Sequence, residues 1–502
     1  MGAIKKQGIN STLLNYFGII ISALSVLLVY SQALLEYGII TFMIEMAFFF
    51  GSVAQGSVHI AMLRFFPAFN NPEKKHFGIL GWAWIANLIG FLIFGAFCWI
   101  FHQPISSLFE GKEGFDPSQL KYLYVLSYLL GQIFLFTNYC TAFKQVVIST
   151  FVDVLLRLLR PIMVLIYIWG YFDLPTLIES VLWCYLLCIG LQVWYIYKMG
   201  EWYVDLNKEG FSKPLLKEIG QFSTYTTLLT IAFYLAMQLD RFTVPIYMTF
   251  EDNGMYNMAL FIAHLISVPL ANVSTIATPV AIENFAENSV TEIDKMYKTT
   301  TPLLCIAGIF LFLGIMTNAA DLFNLMNSGN ALQDAEKLNV ILWVIFILGI
   351  GRTIENLGGV SRAILEYSPA YKWALLLMGI AIICNIGLSL LLIPALGLIA
   401  IAIAASVALV LYMVLRVLLL YKLYGIFPMN LKVLWAFIWG TIVYILCIYI
   451  QLDYGAIINM AIRSILVTIL YIPVILWLEI SPELNQVAIK LLRKVNFTKN
   501  RK

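Results

Sequence analysis

The feature that most constrains this chain is a repeated one. Apolar runs of about 20 residues, each long enough to cross a bilayer, follow one another along 502 residues with only short polar connections between them. Hydrocarbon offers no water to a polar backbone, so each crossing segment must satisfy its own hydrogen bonds and folds as an α-helix. Such runs lie near 10–31, 36–62, 78–101, 120–142, 147–169, 175–197, 220–247, 255–279, 300–320, 338–360, 372–393, 397–420, 432–450 and 456–478, which predicts about 14 transmembrane helices and an all-α integral membrane fold. Charged residues make up 12% of the chain against 61% hydrophobic. That charged share is about half that of a soluble domain, which excludes a water-faced enzyme, a disordered chain and a nucleic-acid binder.

The lysines and arginines give an independent reading of the same count. With a cytoplasmic N-terminus, the inner connections hold Lys5, Lys6, Arg64, Lys74, Lys75, Lys144, Lys198, Lys208, Lys213, Lys217, Lys295, Lys298, Arg362, Lys372, Arg416, Lys422 and Lys432. The tail adds Lys490, Arg493, Lys494, Lys499, Arg501 and Lys502, whereas the opposite side holds Lys112, with Lys121 and Lys337 at helix ends. This partition predicts both termini on the cytoplasmic side and a basic tail against anionic lipid. The opening MGAIKKQGIN leads into an apolar run too long for a signal peptide and is expected to be a retained first helix.

Seven cysteines, Cys98, Cys140, Cys184, Cys188, Cys305, Cys384 and Cys447, all lie inside apolar runs, with no spacing of a disulfide framework or zinc site. No metal and no cofactor is expected. No connection exceeds about 20 residues or carries a GxxxxGK[ST] loop, so no nucleotide-binding domain is present and the chain is not expected to be an enzyme.

The hydrophilic stretch 199–217 separates two sets of six runs. Six being even, the two sets share one orientation and would be related by an axis along the membrane normal. The expected domains are a six-helix lobe over 1–200, a second over 201–425, two extra helices over 426–480 and a basic tail over 481–502. Asp240-Arg241 followed by Gly254-x-Tyr256-x-x-Ala259, and Pro394-Ala-Leu-Gly397-Leu-Ile-Ala400 followed by Ala402, Ala404 and Ala405, are the most distinctive short motifs. In these the chain resembles polysaccharide exporters of the O-antigen flippase (Wzx) type, within the multidrug/oligosaccharidyl-lipid/polysaccharide (MOP) exporter superfamily. The resemblance implies a V-shaped pair of six-helix lobes facing a central cavity that opens alternately to either side. Its cargo would be an oligosaccharide on an undecaprenyl pyrophosphate carrier in the bacterial inner membrane, with membrane lipids and a polysaccharide polymerase as partners.

Ionisable residues inside apolar helices are costly and so mark function by default. Asp153, Arg157 and Arg160, at i, i+4 and i+7, share one helix stripe, with the arginines about 15 to 20 Å deep at 1.5 Å per residue. Pro161 is expected to kink the helix there. Two guanidiniums against one carboxylate suit a pyrophosphate; the alternative is a later-starting helix, with an interfacial Asp153–Arg157 pair and Arg160 reaching for water. Glu45 sits mid-helix among apolar neighbours, where it either pairs with a cation or stays protonated to sense an ion gradient. His264 lies at similar depth, either as a proton relay or as a hydrogen-bonded core residue. Asp240 and Arg241 belong to the outer end of their helix, as anchor or gate. Arg352 and Glu355 lie amid Gly349, Gly351, Gly358 and Gly359, which permit a helix break or close packing. The substrate-binding candidates are thus Arg157, Arg160, Arg241 and Arg352, and the ion-coupling or gating candidates Glu45, Asp153, Asp240 and His264. Arg463, shallow in the last helix, is expected to reach outward to the interface.

Two rivals stand beside the flippase reading. A cation-coupled multidrug exporter of the same superfamily would need an acidic, aromatic pocket, whereas four arginines here face four acids. A membrane-embedded glycosyl or acyl transferase or polymerase would need paired acids or a His in a sizeable loop. The best candidate for that is Glu110, Glu113 and Asp116, in a short connection with no neighbouring His or Arg.

Overall fold

The computed structural model describes residues 2–206, 210–287, 289–326, 335–428, 431–450 and 454–486. Lys208 and the tail lysines and arginines from Lys490 onward lie outside the described residues. Regular structure is helical throughout those segments, and the chain divides into two compact units, 1–255 and 256–502.

The first unit contains α1 (Gly2–Leu28), α2 (Leu34–Ala54), α3 (Val58–Phe69), α4 (Ile79–Ile100), α5 (His102–Ser107), α6 (Leu120–Ala142), α7 (Val146–Ile168), α8 (Leu174–Lys198), α9 (Lys213–Gln238) and α10 (Asp240–Tyr247). α11 (Phe250–His264) begins in it. α12 (Val268–Ala286), α13 (Val290–Met326), α14 (Ala335–Glu355), α15 (Ser361–Tyr367), α16 (Lys372–Leu396), α17 (Leu398–Tyr424), α18 (Leu431–Ile448) and α19 (Ala456–Trp477) follow in the second.

Every run predicted to cross is helical, and eleven helices among the described residues have the length and apolarity of a membrane span. The other three, α7, α9 and α18, are 23, 26 and 18 residues long. Eighteen residues rise about 27 Å, close to the hydrocarbon thickness. Three predicted single helices are divided, one of them, the run 255–279, by a 3-10 turn at Leu265–Ser267. The run 36–62 breaks at Gln55-Gly56-Ser57, where Gly56 and Ser57 both have positive φ, 54° and 53°. The run 220–247 breaks between Gln238 and Asp240.

Side-chain caps set several boundaries. Asp173 accepts from the Thr176 amide at 3.0 Å ahead of Pro175, and Ser212 accepts from the Leu215 amide at 3.4 Å ahead of Pro214. Both satisfy amides that a helix leaves orphaned at its start. α16 and α17 form the most extensive helix pair, turning at Gly397, with Ala400, Ala402, Ala404 and Ala408 buried on α17. This turn falls within the Pro394-Ala-Leu-Gly397-Leu-Ile-Ala400 motif.

In the first unit α6 is central, packed by α2, α3, α4, α7 and α8, while α9 lies against α2 and α3 and α10 against α2. The start of α11 meets the start of α2 backbone to backbone. A Cβ on Gly38 would lie 1.8 Å from the Phe250 carbonyl oxygen, and one on Gly254 would lie 2.1 Å from that of Leu34. Asn253 Nδ2 then donates to the Gly38 carbonyl at 2.7 Å. The hydrophilic stretch after α8 is not a free linker where it is described. Lys75 pairs with Asp205 at 2.7 Å and His76 with Glu201 at 2.9 Å, so residues 201–205 are held against the turn between α3 and α4. In the second unit α13 is the hub for α12, α14, α18 and α19, and α17 packs on α14.

Candidate functional site

In the first unit the sequence candidates fall into one electrostatic neighbourhood. On α7, Arg157 Nη2 lies 2.7 Å from Asp153 Oδ2, and those side chains are 28% and 51% exposed. α1 approaches this stripe closely because Gly18 has no side chain: a Cβ there would be 3.3 Å from Arg157 Cδ. Arg160, one turn deeper, makes no salt bridge to a carboxylate among the described residues. Its Nε donates to the Leu156 carbonyl at 3.0 Å, and Tyr185, Tyr30, Asp153 and Tyr37 lie within reach of its charge. α7 continues through Pro161 to Ile168 as one helix.

Across the same unit, Arg241 of α10 donates through Nη1 to Glu45 Oε1 of α2. The two side chains are 20% and 23% exposed, and Asp240, Tyr37 and Tyr234 also act on the Arg241 charge. Glu45 therefore has a cation partner, the first of the two readings its sequence position left open. Asp240 itself is buried at 4% exposure. Tyr37 interacts with Arg241, Arg160 and Glu45, and Tyr185 with Arg160, Glu45 and Asp153, so two phenols link the α7 stripe to the α2–α10 pair. The four arginines and four acids proposed from sequence are thus mostly matched; Arg160 is the cation left over.

The remaining candidates meet in the second unit. Arg352 Nη2 lies 2.9 Å from His264 Nε2, and Arg352 Nη1 donates to Glu355 Oε2 at 3.2 Å. A guanidinium only donates, so His264 Nε2 is the acceptor and the ring proton sits on Nδ1. The glycines do what their spacing suggested. A Cβ on Gly351 would meet Ser406 of α17 at 2.8 Å, and α14 gives way after Glu355 to a 3-10 turn that ends at Gly359 with φ 48°.

Three features escaped the sequence. Arg463 does not reach outward: it pairs with Asp321 of α13 and donates to the Thr317 and Ile450 carbonyls at 3.4 and 3.2 Å. Asn459 Nδ2 also lies 3.5 Å from Asp321. A buried carboxylate within reach outweighs interfacial water for that guanidinium. The signal available was a charge near one end of each of two apolar helices. Arg416, assigned from sequence to an inner connection, is 2% exposed within α17, its guanidinium 4.3 Å over the Tyr412 ring, because the aromatic face compensates the charge. Lys112 turns inward to donate to the Ile246 and Met248 carbonyls at 3.1 and 2.6 Å, closing the end of α10. Burial pulls its ammonium below the usual lysine range, with Asp252 acting the other way.

Asp116 accepts from the Ser118 amide at 2.9 Å as a turn cap. No group of three His, Cys, Asp or Glu residues disposed to hold a metal is present among the described residues.

No family model matches the sequence, and no curated protein matches it. Solved structures do. The chain is similar to the lipid II flippase MurJ in an inward closed conformation, with a TM-score of 0.70 at 14% identity over 92% of this chain and 98% of that one. It is also similar to an inward-facing multidrug resistance MATE transporter of the MOP superfamily, with a TM-score of 0.64 at 17% identity over 83% and 94%. A MOP superfamily transporter from Pyrococcus furiosus, whose binding pocket is described as reversed in polarity, gives 0.52 at 15% identity over 84% and 95%. The chain is therefore an all-α, multi-pass membrane protein with the fold shared by the lipid II flippase MurJ and transporters of the MOP superfamily.

Proposed function

We propose that this protein is an alternating-access flippase that moves an oligosaccharide carried on undecaprenyl pyrophosphate across the bacterial inner membrane, with both termini cytoplasmic and six-helix lobes over 1–200 and 201–425. The observation that carries the reading is the charge match in the first unit. Arg157 and Arg241 each have a carboxylate partner, whereas Arg160 sits among Tyr30, Tyr37 and Tyr185 with none among the described residues. A guanidinium held through Nε by one carbonyl keeps its other donors for an anion, and a pyrophosphate oxygen pair fits its planar fork. Arg157, one turn away, supplies a second donor once its exposed pair with Asp153 opens, a cheap step for an ion pair in contact with solvent. The fold likeness to a lipid II flippase supports a lipid-linked cargo.

The exporter reading asks for a free acid to take up a cation or proton. Glu45, Asp153 and Glu355 are each engaged by an arginine, which favours the anionic cargo.

The test is complementation of a bacterium lacking its own flippase, with surface polysaccharide as the readout. Arg160→Ala is expected to abolish export at normal membrane abundance. Arg160→Lys, which keeps the charge and loses the fork, should weaken cargo binding about ten- to hundredfold. Wild-type export by Arg160→Ala at equal abundance would remove the site.

A further inference from the structure

We propose that the apolar cavity bounded by α3, α4 and α9 holds one acyl chain of an anionic phospholipid, with the lipid phosphate against Arg64. The cavity is about 400 Å³, inside the range of about 300 to 1,000 Å³ typical of sites for small organic molecules. Its wall includes Met62, Phe65, Trp82, Ala86 and Ile219, and Ser223 is its one hydroxyl. Ser223 Oγ already donates to the Gly56 carbonyl. The wall is almost wholly apolar, and burying a polar ligand there would cost its hydration, so hydrocarbon is the chemistry that fits. In a protein surrounded by lipid, the hydrocarbon within reach is an acyl chain.

The rim supplies the charge. Arg64 is exposed, with its guanidinium 4.2 Å over the Phe222 ring and 5.7 Å from that of Phe65; the two rings are 5.8 Å apart. Phe65 is itself part of the cavity wall. Among the described residues Arg64 has no ion pair, so its place over the Phe222 ring, next to Phe65 of the wall, leaves its N–H groups for phosphate oxygens. Lys213 and Lys217 are exposed on the first turns of α9 and add positive charge to Arg64, with Glu218 exposed beside them. A positive rim over an apolar hole selects a net negative headgroup over a zwitterionic one. The chain would also brace α9 beside the bonds from Ser223 and Thr227 that hold Gly56 and Ser57. This inference is independent of the proposed cargo.

Native mass spectrometry of the delipidated full chain, titrated with phosphatidylglycerol or phosphatidylethanolamine, tests it. Wild type is expected to take one phosphatidylglycerol about fivefold more tightly than phosphatidylethanolamine. Ala86→Trp, which fills the cavity, should lose that molecule, and Arg64→Gln should keep it while losing the preference. A phosphatidylglycerol carrying a photoreactive acyl chain should label residues 58–69, 79–86 and 216–223 of the wild-type protein, a readout that does not depend on any variant folding. Unchanged binding by Ala86→Trp, equal affinity for the two headgroups in wild type, or labelling spread evenly over the lipid-facing helices would each overturn the proposal.

Discussion

The Arg241 guanidinium donates to the Glu45 carboxylate, joining α10 to α2 across 196 residues of sequence. Both side chains lie about four-fifths out of solvent, so each is the main compensation for the other's charge. Removing one partner, as in Glu45→Gln or Arg241→Gln, should lower unfolding stability by about 1 to 3 kcal/mol, because the survivor is left mostly buried without its partner. The double variant Glu45→Gln/Arg241→Gln should recover much of that loss. Thermal unfolding in detergent across the four proteins measures the coupling, and additive losses would contradict it.

Asp321 and Arg463 tie α19 to α13 in the second unit. Asp321→Ala should cost about 3 to 5 kcal/mol by stranding a buried guanidinium. Cys447 is fully buried in the cluster that α13, α18 and α19 share. It should therefore react faster with a membrane-permeant maleimide in Asp321→Ala than in wild type; equal rates would show that the pair does not hold these helices together.

Glycines here divide by what a methyl group would meet. Gly38→Ala or Gly254→Ala would drive a Cβ into a backbone carbonyl that cannot rotate away, and each should destabilise by about 3 kcal/mol or more. Gly95 and Gly190 lie in helices with nothing within 4 Å of the added atom, so Gly95→Ala and Gly190→Ala should stabilise by about 0.5 to 1 kcal/mol. Melting temperatures of the four variants give the comparison.

Asp173, at the start of α8, is held below the usual carboxylate range by the Thr176 side-chain and backbone hydrogen bonds. Since its folded value lies below its unfolded one, the cap contributes fully above about pH 4 and is lost as pH falls through the folded value. Thr176 amide protection, corrected for intrinsic exchange, should fall under acid in wild type and stay level in Asp173→Asn, whose amide oxygen still accepts.

Helix positions were legible because an apolar run of fixed length has one solution in hydrocarbon, and the Gly397 turn was legible because its residues sit next to one another. The α7 stripe followed from helical spacing alone: Asp153 and Arg157 pair as i, i+4 neighbours must. What sequence did not carry was partnership at a distance. Nothing local to Glu45 names Arg241, and nothing local to Arg463 names Asp321. The break at Gly56 was hidden for another reason, since Gln55-Gly56-Ser57 contains no proline and its positive φ values are stabilised from α9, by Ser223 and Thr227.

That break also separates two parts of one membrane crossing. In a continuous helix, inserting a residue would rotate everything beyond it by about 100° and exchange the faces it presents. Here an insertion between 54 and 58 falls in a turn whose backbone is already irregular, so α3 can change its facing while Glu45 keeps its aim at Arg241. Sequence drift in the wall formed by Met62 and Phe65 is thereby uncoupled from the charge pair a few turns away. The same crossing can diversify at one end while remaining fixed at the other.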